Sequence, residues 1–269
     1  MAFFSMRPTL LFFLMLSGTS VQGQFETHMH VEYSSSVGDS FEIYISLPPN
    51  YQVSKTCNVV YYCDANLKSG KHLRALLATS QYNHLQNTIF VGIGHIGDYH
   101  VLRRRDFILP FIQGGDTLAR DKNYGQTKRF YAYLKHELIP SIDATYKTNQ
   151  QNNSIIGHSL GGLFAFFCLF QAEDMFSNYF ALSPALWIDK YSIYRFNKIQ
   201  GGFGQKKYLY FASGSKETFN KILNGTNDAK QFLDNMLYHN LNYDYEIWKG
   251  KTHNSAVPLA LEKILKEKL

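Results

Sequence analysis

A serine, a carboxylate and a histidine can together attack a carbonyl group, and this chain carries candidates for all three in a usable order. Ser159 lies in Gly157-His158-Ser159-Leu160-Gly161, with Gly162 directly after it. A serine on a sharp strand-to-helix turn needs small neighbours, because the turn brings its flanks close together. Such a turn exposes the hydroxyl and aims a helix N-terminus at it. The bare Gly-x-Ser-x-Gly pattern arises by chance in roughly one chain of this length in ten. It therefore counts only if its context and its partners hold. A serine hydroxyl is a poor nucleophile near neutral pH. It needs a base to take its proton and an acid to orient that base.

Where such a serine tops a parallel sheet, the chain order is Ser, then Asp or Glu, then His. His253 lies in Trp248–Ser255, a Gly-bearing loop after the last predicted strand, at the sheet edge where the serine also sits. The chain has ten histidines, and most histidines are ordinary surface or core residues; position singles out His253. His158 is the competitor, but it lies in the turn itself and its side chain is expected to point elsewhere. His239 sits in a predicted helix. For the acid, Glu217 follows the strand before last. Its ordinary use would be to complement a helix N-terminus. Asp228 and Asp234 in the following helix, Asp244 in the last strand and Asp189 after an earlier strand are weaker candidates. An oxyanion needs two fixed N–H donors. One is expected from Leu160, the other from the turn Asp64-Ala65-Asn66-Leu67, with Asn66 or Ala65 as donor.

These residues require a sheet to hold them. Apolar runs alternate with longer amphipathic stretches, which predicts an α/β fold. Phe41–Leu47 alternates like a half-buried strand. Asn58–Cys63 and Thr88–Ile93 read as strands buried on both faces. The stretch ending at Ile156, Tyr179–Leu182, Tyr208–Ala212 and Tyr243–Trp248 complete the series. Helices are predicted over Ser69–Tyr82, Phe130–Ile142, Leu163–Phe170, about Glu217–His239 and about Leu259–Lys268. Two long irregular stretches, His95–Asn123 and Trp187–Gln205, leave strands at their C-terminal ends, where open α/β sheets bind ligands. The first holds Arg103, Arg104 and Arg105, which could meet an anionic group; a solvated loop is the plain reading of the same run.

Composition bounds the rest. With 45% hydrophobic residues in 269, there is material for one large core. No repeat or linker divides residues 24–269, so one domain is expected. The net charge of +6 is modest, and no Lys/Arg run or nucleic-acid motif stands out, which argues against a nucleic-acid partner. Residues 1–23 have the layout of a secretory signal peptide: Arg7, the apolar run Leu10–Leu16, then small and polar residues to Gly23. The run is short for a stable membrane span, so no span is expected after cleavage, and a secreted or periplasmic location follows. An uncleaved anchor is the alternative. Cys57 and Cys63 lie at opposite ends of one predicted strand, roughly 20 Å apart, too far to bridge. Buried free thiols are expected, with a bridge to Cys168 left open. No Cys/His spacing suggests a metal, and no cofactor is implied.

The chain resembles the putative-esterase (esterase D-like) family of α/β-hydrolases. The resemblance rests on Lys135–Ile142, Tyr146, Ile156–Phe164, Phe176 and Ser183–Trp187. Weaker echoes are Leu47–Tyr51, Val59–Asp64 and Thr252–Ser255. It implies an α/β-hydrolase fold, a mostly parallel central sheet flanked by helices, with Ser159 as nucleophile and His253 as base. Glu217 occupies the place where this branch can carry its acid, although some siderophore-esterase relatives dispense with one. The turn at Asp64-Ala65-Asn66 departs from the more usual Asp-Gly. The family includes siderophore trilactone esterases, acetyl-xylan and feruloyl esterases, S-formylglutathione hydrolases and mycolyltransferases. A secreted serine esterase acting on a siderophore-type or other bulky aromatic ester is the leading expectation, with Arg103, Arg105 and Trp187 as substrate contacts. A carbohydrate esterase, an acyltransferase and a non-catalytic binding protein on the same fold are the alternatives.

Overall fold

The computed structural model describes residues 24–49, 51–53, 55–110, 124–218 and 221–269. The expected signal segment, residues 1–23, lies outside them, as do residues 111–123 of the first long loop. Eight strands form a single sheet in the order β1-β2-β4-β3-β5-β6-β7-β8. They are β1 Glu26–Ser34, β2 Asp39–Leu47, β3 Cys57–Cys63, β4 Thr88–His95, β5 Thr148–His158, β6 Asn178–Leu182, β7 Gly202–Gly214 and β8 His239–Trp248. β1 and β2 run antiparallel to their neighbours, and every pair from β4 through β8 is parallel. This is the mostly parallel, helix-flanked sheet of an α/β-hydrolase.

Burial explains the strands. Every residue of β4 is buried, as are Val59 to Cys63 of β3. Such strands carry apolar side chains on both faces because helices cover both. Helices α1 (Lys68–Leu77) and α7 (Ala256–Glu267) pack their apolar side chains, among them Leu73, Leu77, Leu261 and Ile264, on one face. The other face carries α2 (Tyr99–Phe107), α3 (Thr127–Tyr133), α4 (Ile139–Thr145), α5 (Leu160–Phe170) and α6 (Ile222–Met236). Helix α5 is buried from Gly161 to Phe170, which is why its sequence is apolar all round rather than striped. At about 1.5–3 kcal/mol for each large side chain removed from water, this helix is firmly seated and so is the turn that precedes it.

Four differences from the sequence expectations have physical causes. The stretch after β4 is not wholly irregular: Asp98 caps α2, its Oδ1 accepting from His100 N at 2.9 Å. The helix expected from Glu217 begins only at Ile222, after Lys221 adopts a left-handed φ of 55°. The helix expected over Ser69–Tyr82 stops at Leu77 and is followed by a 3₁₀ turn, Ser80–Leu85. Strand β1 is an addition. It lies at the sheet edge with Met29, Val31 and Tyr33 exposed, so its apolar residues do not mark a core-facing stripe. All three cysteines are buried free thiols. Among the described residues, no helix is long and apolar enough to cross a membrane.

Candidate active site

Ser159 sits between the end of β5 and the start of α5, with φ 61° and ψ −112°. A non-glycine residue rarely holds a positive φ, and the surroundings fix it there. Ser159 donates its N–H to Leu182 O at 2.9 Å, and its own carbonyl accepts from Leu163 N and Ala185 N, both at 3.0 Å. The glycines make the turn possible. A Cβ on Gly157 would stand 1.9 Å from Gly161 O, and one on Gly162 would stand 3.0 Å from Pro184 Cα. Leu160 opens α5, so its N–H has no acceptor within the helix and lies beside the serine.

Glu217 and His253 meet across the C-terminal ends of β7 and β8. His253 Nδ1 and Glu217 Oε2 are 2.6 Å apart. The other carboxylate oxygen of Glu217 accepts from Ser183 Oγ at 2.8 Å and from Gly214 N at 2.5 Å. The Glu217 carboxylate is wholly buried, while the His253 side chain keeps 25% of its exposure. A buried carboxylate held by three donors is fixed in direction. With the Nδ1 proton pointing at Glu217, the Nε2 of a neutral His253 is left as an acceptor. Asp228, Asp234, Asp244 and Asp189 make no such contact with His253.

Ser159 and His253 line the same cleft, of about 240 Å³, with Leu160, Ala185, Trp187, Ile188, Ile108 and Ile222 as its apolar walls. Among the described residues no hydrogen bond joins the two. Catalytic hydrogen bonds are often long before substrate binds. His100, Arg103 and Arg104 add the cationic side of the cleft. Of the two donors weighed for the oxyanion turn, Ala65 is spent on Ile93 O at 3.0 Å, and Leu67 donates to Asp64 O at 2.9 Å. That leaves the Asn66 N–H between them, while the Asn66 side chain donates to His95 O at 2.7 Å.

The arginines divide by helix geometry. Positions 100, 103 and 104 share one face of α2, being three and four residues apart, and all three line the cleft. Arg105 points away from it: its guanidinium binds both oxygens of buried Asp106 at 2.8 Å and Asp39 at 2.6 Å. Its guanidinium is committed to those two carboxylates, and Arg105 is not among the residues that line the cleft. Arg103 is on the cleft but already paired, Nε to Asp64 Oδ1 at 2.7 Å and Nη2 to Asp64 Oδ2 at 2.9 Å. Arg104, named from the sequence with its two neighbours as able to meet an anion, meets among the described residues only Tyr124, its Oη at 3.3 Å and its ring. His158 does not line the cleft, yet its ring lies 4.5 Å from that of His253. Burial, His253 and Arg103 together push its pKa down to about 3.

Fold and site together define an α/β-hydrolase with a serine at the elbow and a Glu–His pair beside it. The Putative esterase family model matches residues 34–260, and the chain belongs to that family. It is 24% identical over 256 residues to the ferri-bacillibactin esterase BesA of Bacillus subtilis (strain 168), covering 89% of this chain and 88% of that one. Among solved structures it resembles an IroE-like serine hydrolase from Shewanella oneidensis with a TM-score of 0.73 at 24% identity, covering 90% of this chain and 79% of that one. It also resembles the enterobactin hydrolase IroE in complex with DFP, TM-score 0.70 at 18% identity, covering 92% and 97%.

Proposed function

We propose that this protein is an exported serine esterase in which Ser159, His253 and Glu217 form the catalytic triad. The observation that carries the reading is the 2.6 Å contact between His253 Nδ1 and buried Glu217, on a histidine that shares a cleft with Ser159. His253 Nε2 takes the Ser159 proton as Oγ attacks the ester carbonyl, and Glu217 stabilises the imidazolium that forms. The N–H groups of Leu160 and Asn66 hold the oxyanion. His253 then protonates the leaving alkoxide. Water attacks the acyl-serine by the same route and releases the acid.

For the substrate we propose a siderophore-type ester. The name of the Bacillus subtilis relative supports it, and so does a cleft with apolar walls and Arg104, which meets no carboxylate among the described residues. The aromatic wall of Trp187 suits an aryl acyl group. Export rests on the sequence of residues 1–23. Purified protein should hydrolyse p-nitrophenyl butyrate, and Ser159→Ala should abolish turnover; undiminished turnover in that variant rejects the mechanism. A panel of a ferric trilactone siderophore, a feruloyl sugar and acetylated xylan tests the substrate. Preference for either carbohydrate ester would reject the siderophore reading while leaving the triad intact.

A further inference from the structure

Three segments converge behind the reacting atoms: the oxyanion turn, the nucleophile elbow and the loop that carries His253. One chain of contacts joins them. Asp64 belongs to the turn and is gripped through both oxygens by Arg103. Arg103 Nη2 also reaches His158 O, in the elbow, at 3.4 Å. The His158 ring then turns back towards the base. Its Nε2 lies 3.2 Å from His253 O, and its ring packs against the His253 ring with centroids 4.5 Å apart.

We propose that His158 is a positioning residue for His253, a donor and a wall that together hold the base in register with Glu217 and Ser159. This rests on the triad reading above. A carbonyl oxygen only accepts, so Nε2 of His158 must carry the proton. The loop shows why the contact matters. Lys216 N holds Lys251 O at 2.9 Å, and Ser255 Oγ accepts from Thr252 N at 2.8 Å. His253 lies between those anchors, and His158 ties down its carbonyl. Glu217 fixes one end of the imidazole, but a single hydrogen bond leaves the ring free to swing about it. The His158 ring closes that freedom from the side. Being neutral, it also adds no charge beside the imidazolium that forms during the reaction. Burial lowers the pKa of His158 to about 3, so its ring stays uncharged near neutral pH.

The test compares His158→Phe, which keeps a ring and removes the donor, with His158→Gln, which restores a donor of similar reach. Turnover of p-nitrophenyl butyrate and thermal melting are measured for both. His158→Phe should lower kcat tenfold or more with KM changed less than twofold, and His158→Gln should recover kcat to within threefold of the parent. A kcat for His158→Phe within twofold of the parent would overturn the proposal. So would a His158→Gln variant as slow as His158→Phe, or a loss of melting temperature with kcat intact. If His158→Phe does not fold, His158→Asn, too short to reach the carbonyl, replaces it with the same criteria. Failure of the triad reading is distinct: it appears as activity in Ser159→Ala, whatever the His158 variants do.

Discussion

Replacing Glu217 by glutamine leaves the shape of the site nearly unchanged and reverses its polarity at one atom. The carboxylate accepts three hydrogen bonds, from His253 Nδ1, Ser183 Oγ and Gly214 N. An amide has one oxygen, so its NH₂ must face one side or the other. Facing Gly214, it sets donor against donor where the carboxylate now accepts at 2.5 Å. Facing His253, it requires Nδ1 to accept, which moves the ring proton to Nε2 and removes the base that Ser159 needs. Loss of a hydrogen bond to a charged group is worth roughly 1.5–3 kcal/mol, or about ten- to 150-fold in rate. The tautomer error adds to this; the corresponding change in another serine hydrolase lowers kcat by about 10⁴. Glu217→Gln should therefore lower kcat for p-nitrophenyl butyrate by about 10²–10⁴. An unsatisfied Gly214 N–H would cost about 1–3 kcal/mol of stability, or a few degrees of melting temperature. The assay is steady-state turnover normalised by active-site titration, beside a thermal melt. A kcat within threefold of the parent, with Ser159→Ala inactive, would show that Glu217 does not orient His253.

Gly157→Ala should fail to fold or lose more than about 3 kcal/mol in urea titration, because its Cβ would meet backbone at Gly161 that cannot move aside. Arg103→Met should cost about 3–5 kcal/mol by leaving the buried Asp64 carboxylate unpaired; adding Asp64→Asn should recover most of it, and no recovery would deny the pairing its role. Arg104→Ala should raise KM about three- to tenfold for an anionic aryl ester and leave KM for a neutral ester unchanged, in keeping with a half-buried charge contact; equal effects on both esters would remove its charge from recognition. The depressed pKa of His158 gives a pH dependence of stability. Burial lowers it from 6.5 to about 3, so the unfolded chain binds a proton that the folded chain refuses. This contribution is complete above pH 6.5 and is lost as pH falls towards 3, at no more than about 1.4 kcal/mol per pH unit for one proton. Melting temperatures between pH 7 and 5 should fall more steeply for the parent than for His158→Gln, and parallel curves would contradict the assignment.

The parts of this molecule that could be read from sequence are those whose causes are local. Strands β3 and β4 are legible because burial on both faces leaves unbroken apolar runs. The elbow is legible because Gly157 is demanded by a contact four residues away, against Gly161, although Gly161 and Gly162 themselves meet the distant Cys63 and Pro184. That Glu217 and His253 stand near each other could be expected because chain order and strand ends restrict where they stand. Strand β1 was missed because edge position exposes Met29, Val31 and Tyr33, so no alternation points to the core. Helix α2 was missed because Arg103, Arg104, Arg105 and Asp106 disguise its inner side. Arg103 and Arg105 are neutralised by Asp64 and Asp39, far away in sequence, and no local pattern announces such partners. The arginines were hard to tell apart for the same reason: three adjacent guanidinium groups look alike in sequence, but a helix turns each by about 100° and sends them to different partners.

That division bears on how the protein would select its ester. The proposed reacting group stands on the ends of β5, β7 and β8, whereas the cleft is assembled from α2, the Ala185–Ile188 segment and the start of α6. A cleft of about 240 Å³ is smaller than the roughly 300–1,000 Å³ of pockets that enclose a drug-sized ligand. On the proposed siderophore reading, a bulky ester would place one acyl arm in this cleft and leave its remaining arms outside. Shape alone discriminates weakly under those conditions, since apolar walls give only about 1–3 kcal/mol per methylene-sized difference. The stronger filter is charge. Of the two arginines on the cleft, Arg103 is neutralised by Asp64, and Arg104 meets no carboxylate among the described residues. On that proposed reading, discrimination between an anionic and a neutral arm would fall to the Arg104 guanidinium, one helical turn from His100, and exchanging that residue would alter selection without touching the proposed triad of Ser159, His253 and Glu217.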